Sequence, residues 1–403
     1  MQAYTERYSI ATRKNPAVSE NPIALNDLVL PSADRPALVL ASLLHRDLLQ
    51  RLLSLIDRCE DVTARHVLVT LCRDLSAYST ASFSSLVDGP KWQIVERLAM
   101  QTGKPASAQE VASQGVIALL LLSAAPERDP DTVLEGKATL SLNLRMVDVG
   151  ASGGLISIPK GDSFRISAQG GYSILTVGKK IVARCRAPRN GPRSPIVLHK
   201  PETGVRFEMP AAWAGRKLLT SRYCRQVFAQ CDGLLSAVWP AVAADVRFYC
   251  RYLTPLRLHS DKVWRNSSQS DLGFHIISTL SARSIPESCE ALIHECMHLK
   301  LGMLERLAGP LVKGSCGAIY SHPWRPDMRP LRGVFLAAHA FSQVLVLYRK
   351  LKEEMNVPVD RYVDIDGLRT NVLSSVHTLK SSKDLTPLGF SVCEILDSSC
   401  AER

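Results

Sequence analysis

Residues 291–300 read A-L-I-H-E-C-M-H-L-K, and residues 320–341 read Y-S-H-P-W-R-P-D-M-R-P-L-R-G-V-F-L-A-A-H-A-F. The first stretch holds neither Gly nor Pro. Ala291, Leu292, Ile293, Met297, Leu299, Leu301 and Leu304 make it and its continuation largely apolar. A buried helix is predicted. Residues four apart on a helix stack on one face, so the imidazoles of His294 and His298 can reach a single divalent ion. Glu295 lies about 100° around from His294 and completes the pattern H-E-x-x-H. A buried helix rarely aligns two histidines and a glutamate unless something pairs with them. The plainer alternative is a core helix whose histidines are satisfied by hydrogen bonds.

A metal at this motif calls for a third protein ligand. The longer pattern H-E-x-x-H-x-x-G-x-x-H fails, because Leu301 and Leu304 stand at its Gly and third-His positions. Glu305 shares the face of His298 but lies about 10 Å along the axis, too far to share one ion. The ligand is therefore expected from a later element, with His322, Asp327, His339 and Glu353 as candidates. His339 is favoured, because it sits in an apolar stretch, residues 334–347, that reads as a second buried helix. His322 is the runner-up.

Taken together, the two quoted stretches resemble the H-E-x-x-H peptide-modification proteins, which are encoded beside ribosomally made, post-translationally modified peptides. The match runs from about residue 271 to residue 341, and L-T-P-L-G-F at residues 385–390 fits the family's C-terminal end. His294, Glu295 and His298 fall on the signature. Arg325, Pro326, Asp327, Arg329, Pro330 and Gly333 fall on the P-W-R-x-D-x-R-P-x-x-G segment. His339 falls where the family carries a His or Tyr. The resemblance implies an iron(II), 2-oxoglutarate-dependent hydroxylase that uses O2 to oxidise a β-carbon on a precursor peptide.

Such a hydroxylase needs a few protein ligands on iron(II) and open positions for 2-oxoglutarate and dioxygen. The far carboxylate of 2-oxoglutarate needs a cation, and a bidentate Arg is the best geometric match. Arg329 is the first choice for it and Arg325 the second, with Arg332 close by. Pro323, Pro326 and Pro330 hold this segment out of a helix until Leu331. Glu295 would be the general base of a zinc peptidase, whereas in an iron hydroxylase it would be a ligand or would orient an imidazole. The alternatives to the hydroxylase are that zinc metallopeptidase and a non-catalytic peptide-binding protein.

The chain has 403 residues, 46% of them hydrophobic, with a net charge of +11 and mean hydropathy of +0.02. That length supports a real core in one large or several smaller domains. The basic residues are scattered, which suits an acidic peptide or a small anion, and no nucleic-acid-reading motif accompanies them. The cysteines number 11 and form no C-x-x-C, so a reducing cytoplasm is expected rather than a disulfide framework or zinc knuckle. No signal-peptide core is present at the N-terminus. The longest apolar run, residues 115–125, is too short to span a bilayer.

An α+β fold is expected, in three parts: a helical module at residues 1–130, an antiparallel β-rich part at 131–280 and a helical metal-binding part at 281–403. Residues 1–35 read as an irregular arm. Helical periodicity marks residues 37–59, 66–75, 92–101 and 108–124. Residues 138–149, 163–175, 179–185, 195–198 and 204–208 read as strands. The glycine-rich run at 146–154 could suggest a nucleotide-gripping loop, but Pro159 and Gly161 follow too soon for the helix such a loop needs, so a turn is expected. Residues 212–240 read as a helix, and 246–256 and 273–280 as strands. The last of these is expected at a sheet edge, where an extended peptide could pair with it. Residues 337–355 and 364–380 read as helices, and 385–396 closes the fold.

Overall fold

The structure is a computed structural model that describes residues 29–31, 36–76, scattered positions within 111–118, 131–135, 140–143, 155–158, 163–169, 172–186, 196–197, 216–250, 252–258, 266–269, 275–314 and 319–401. Two helices come first: α1 (Pro36–Arg58) and α2 (Val62–Ser76). They pack through Leu44, Leu48, Leu52, Leu68 and Leu71, and His45 places Nε2 2.7 Å from the Leu75 carbonyl. The helices expected at 92–101 and 108–124 lie wholly or largely outside the described residues.

Short strands follow: β1 (Asp131–Glu135), β2 (Leu140–Asn143), β3 (Leu155–Ile158), β4 (Ser163–Gln169), β5 (Tyr172–Val177), β6 (Lys180–Arg186) and β7 (Ile196–Val197). The expected strand at 163–175 is two strands, β4 and β5, paired antiparallel from Phe164–Val177 to Gln169–Tyr172. Gly178, with φ 55°, turns the next hairpin into β6. β1, β4, β5 and β6 form one antiparallel sheet. The glycine-rich run at 146–154 is outside the described residues, but a strand, β3, and not a helix, follows it. The expected strand at 204–208 also lies outside them.

Helix α3 (Ser221–Val238) is capped by Thr220, whose hydroxyl accepts from the Tyr223 N–H. Pro240 then opens α4 (Pro240–Tyr249). The strand expected at 246–256 is therefore corrected: its first four residues belong to α4, and only β8 (Tyr252–Arg257) is strand. Proline at the first turn presets the helical φ, and Val242, Val246 and Tyr249 recur on its buried side. β9 (Asn266–Gln269) and β10 (His275–Leu280) complete a sheet in the order β7-β8-β10-β9, with β10 parallel to β8 and antiparallel to β9. β10 is thus an inner strand. The expected edge for peptide addition is corrected, because its backbone groups are already paired on both sides.

The site-bearing elements come next. α5 (Ile285–Ala308) starts with Pro286 and Glu287 in its first turn and stops at Gly309, whose φ of 105° ends the helical path. β11 (Ile319–His322) and β12 (Arg325–Pro330) form a two-stranded hairpin. α6 (Leu331–Met355) begins directly after Pro330. The hydrogen bonds from Tyr348 to Glu290 and from Arg332 to Glu305 show α5 and α6 running antiparallel. Leu292, Ile293, Met297, Val334, Phe335, Ala338, Val344 and Tyr348 fill the core between and behind them, each large side chain contributing roughly 1.5–3 kcal/mol on burial. α6 is apolar and long enough to cross a membrane, but most of it is buried inside the protein, so its composition is accounted for by the core.

α7 (Ile365–Lys380) is capped by Asp364, and α8 (Pro387–Ala401) closes the chain. The 385–390 segment packs on the exit of α5. Leu385 bridges Val312, and Thr386 donates its hydroxyl to the carbonyls of Pro310 and Leu311. Any side chain at Gly389 would run into the Leu311 carbonyl. The fold is α+β, with helices at both ends and the sheets between them.

Candidate metal centre

α5 presents a line of polar side chains toward α6. Glu290, His294 and His298 recur every four residues, and Glu305 continues the line. Each meets something different. Tyr348 donates to Glu290 Oε2 at 2.5 Å. Arg332 donates to Glu305 Oε2 from Nε at 2.9 Å and from a terminal nitrogen at 2.7 Å. Between these two closed pairs stand the histidines, half-buried. Their ring centroids are 4.5 Å apart and their planes cross at 76°.

The ligand atoms of His294, Glu295 and His298 lie within 4.8 Å of one another. Metal–ligand bonds of about 2.0–2.2 Å bring such a group within a small side-chain adjustment of one shared ion. Glu295 is 3% exposed. Nδ1 of His298 is buried with no hydrogen-bond partner among the described residues, a costly arrangement unless something else engages the ring. Burial holds His294 down to about 4. Burial, then His294, His339 and Arg332, push His298 well below the ordinary imidazole range. Both rings are therefore neutral at physiological pH, which is the form that ligates metal. Two neutral imidazoles and a carboxylate make a donor set that suits iron(II) or zinc.

The remaining ligand candidates are distributed elsewhere. His339 is fully buried on α6 and is not gathered with the three. Its Nε2 lies 2.8 Å from the Val29 carbonyl. Beside it, Lys300 donates to the Leu30 carbonyl at 2.7 Å and to Asp245 at 2.8 Å. By helical periodicity Lys300 is about 200° around α5 from His298, so this polar cluster lies behind the motif. Asp327 is held by two arginines, and Glu353 is exposed near the far end of α6. The side chain of His322 is outside the described residues.

The three arginines expected at an anion site each have a carboxylate in this chain. Arg325 and Arg329 both clasp Asp327, at 3.0 and 2.7 Å, and Arg332 clasps Glu305. The first two pairs are solvent-facing. Nε of Arg329 is nonetheless buried with no partner among the described residues. The hairpin reaches the motif through Trp324 at its turn, which stacks on Phe341 of α6 with centroids 4.4 Å apart and planes 18° from parallel. Phe341 in turn meets the His294 ring at 4.7 Å.

Sequence reasoning passed over Glu290 and the Trp324–Phe341 pair. A signal for Glu290 existed: it extends the four-residue spacing of His294 and His298 by one turn. The aromatic pair carried none, because the two residues come from different elements. No protein-family model and no curated protein matches this chain.

Proposed function

We propose that this protein is an iron(II), 2-oxoglutarate-dependent hydroxylase that acts on a β-carbon in a ribosomally made precursor peptide. The observation that carries the reading is the His294–Glu295–His298 group, two neutral imidazoles and a buried carboxylate in which His298 Nδ1 has no hydrogen-bond partner among the described residues. His294 and His298 would hold the metal, with Glu295 as the carboxylate of a two-histidine, one-carboxylate set. When bound, iron(II) supplies the means of activating dioxygen. One oxygen atom then converts the peptide C–H to C–OH, and the other accompanies the oxidation of 2-oxoglutarate to succinate and CO2.

The chain's own residues do the rest. Arg329, one nitrogen of which is buried with no partner among the described residues, would receive the far carboxylate of 2-oxoglutarate in a charge-assisted pair. Arg325 is second in line, and both would exchange Asp327 for it. Arg332 holds Glu305 and adds a positive field near His298. Phe341, backed by Trp324, covers one side of the His294 ring. The nine cysteines among the described residues that are free thiols suit a reducing cytoplasm.

The test is anaerobic loading with iron(II), followed by 2-oxoglutarate, O2 and the candidate precursor peptide. The expected result is succinate formed in step with a peptide mass gain of one oxygen. Zinc retention with peptide cleavage would instead establish the metallopeptidase. Neither activity, with metal content unchanged by His294→Ala, would leave a peptide-binding protein.

A further inference from the structure

We propose that Trp324 and Phe341 are positioning residues that set the orientation of the His294 imidazole, so that the hairpin bearing Arg325 and Arg329 also controls the metal's first ligand. The inference rests on the metal reading above.

A metal-ligating histidine is usually held by a hydrogen bond from its other ring nitrogen to a carboxylate or carbonyl. Among the described residues no hydrogen bond orients the ring of His294. The carboxylate one turn before it, Glu290, is engaged by Tyr348 at 2.5 Å, and the one about two turns beyond His298, Glu305, is engaged by Arg332. The ring contacts of His294 are aromatic. Phe341 approaches at 4.7 Å with the ring planes 64° apart, and His298 at 4.5 Å with planes 76° apart. These edge-to-face contacts restrict rotation of a ring that makes no hydrogen bond among the described residues.

Phe341 is itself half-buried and is backed by Trp324, stacked on it at 4.4 Å. Trp324 belongs to the two-residue turn between β11 and β12, immediately before Arg325. The hairpin is anchored at its base, where the Tyr320 hydroxyl meets Ser382 at 3.0 Å. A carboxylate that takes Arg325 or Arg329 from Asp327 therefore acts on β12, which begins at Arg325, directly after Trp324. Through the stack, that change reaches His294.

The experiment uses cobalt(II) as the probe on metal-free full-length protein, read by its visible spectrum and by tryptophan fluorescence. Trp324→Ala is expected to weaken cobalt(II) binding about 10-fold, the lower end for loss of a group that orients a ligand, and to shift the visible bands. Trp324→Phe keeps a stacked ring and is expected to restore both. The fluorescence lost on adding cobalt(II) is expected to be larger in the unsubstituted protein than in Trp324→Phe, a comparison that stands even if Trp324→Ala does not fold. Unaltered affinity and spectrum in a folded Trp324→Ala, or equal quenching in the two proteins, would overturn the positioning role and leave the metal reading intact. No cobalt(II) binding by the unsubstituted protein, with no iron(II) or zinc binding either, would overturn both.

Discussion

Helix α5 buries polar groups on two opposite faces, and the two are settled differently. Behind the helix, Lys300 is closed on Asp245 and the Leu30 carbonyl, and His339 on the Val29 carbonyl. On the front, His294, Glu295 and His298 converge on one another, and a buried nitrogen of His298 has no hydrogen-bond partner among the described residues. The Lys300 pair has the form of a structural latch, since its ammonium ends on acceptors of the same chain. The front cluster has the form of a site, since its donors point at a common space. Burial alone would not separate them: His339 is fully buried with Nε2 on the Val29 carbonyl, although its Nδ1, like that of His298, has no hydrogen-bond partner among the described residues.

That contrast can be broken by mutation. The largest stability effect is expected behind the helix. Asp245→Ala leaves the Lys300 ammonium buried and uncompensated, and should cost about 3–5 kcal/mol in chemical denaturation. His298→Ala in metal-free protein should cost no more than about 1–2 kcal/mol, since the lost ring had no hydrogen bond to forfeit. Equal losses would erase the distinction between latch and site.

The next effect is pH-dependent. Burial, opposed by the Val29 and Met297 carbonyls and assisted by Lys300, holds folded His339 at about 4 against an ordinary 6.5. The unfolded chain takes up its proton first as pH falls. The contribution of His339 is therefore whole above pH 6.5 and is lost progressively toward pH 4. A gap of this size is worth up to about 3 kcal/mol. His339→Gln should flatten stability across that window, with denaturation midpoints measured at intervals between pH 7 and pH 4. An unchanged slope would mean that the histidine is not held neutral by its surroundings.

Smaller effects sharpen the front face. Arg329→Gln removes one charge-assisted pair, so KM for 2-oxoglutarate should rise about 10-fold or more, equivalent to about 1.5–3 kcal/mol. Metal affinity should stay the same. Arg332→Gln opens the pair with Glu305, in which the arginine side chain is 50% exposed, and should change stability by less than about 1 kcal/mol.

Much of this arrangement was legible in the sequence where information is local. The four-residue spacing and apolar flanks located α5 and put His294 and His298 on one face. The prolines through Pro330 placed the start of α6 at Leu331. Asp364 marked the start of α7. Failures came where distant segments decide the outcome. Residues 246–249 have strand-like chemistry, yet Pro240 and the core contacts of Val242, Val246 and Tyr249 draw them into α4. The polar N-S-S-Q of β9 carries little strand signal, so β10 looked like an edge until its second neighbour was seen. The contact of His339 with the Val29 carbonyl was not legible, because the two are 310 residues apart in sequence. Asp327 lay between two arginines in plain view, but only the hairpin shows it bridging both.

The most direct test of the central claim is metal content by mass spectrometry after anaerobic iron(II) loading and desalting. The protein should retain close to one equivalent of iron. His294→Ala and His298→Ala should each lose it, and His339→Gln should keep it. Retention by both alanine variants, or loss confined to His339→Gln, would contradict the account.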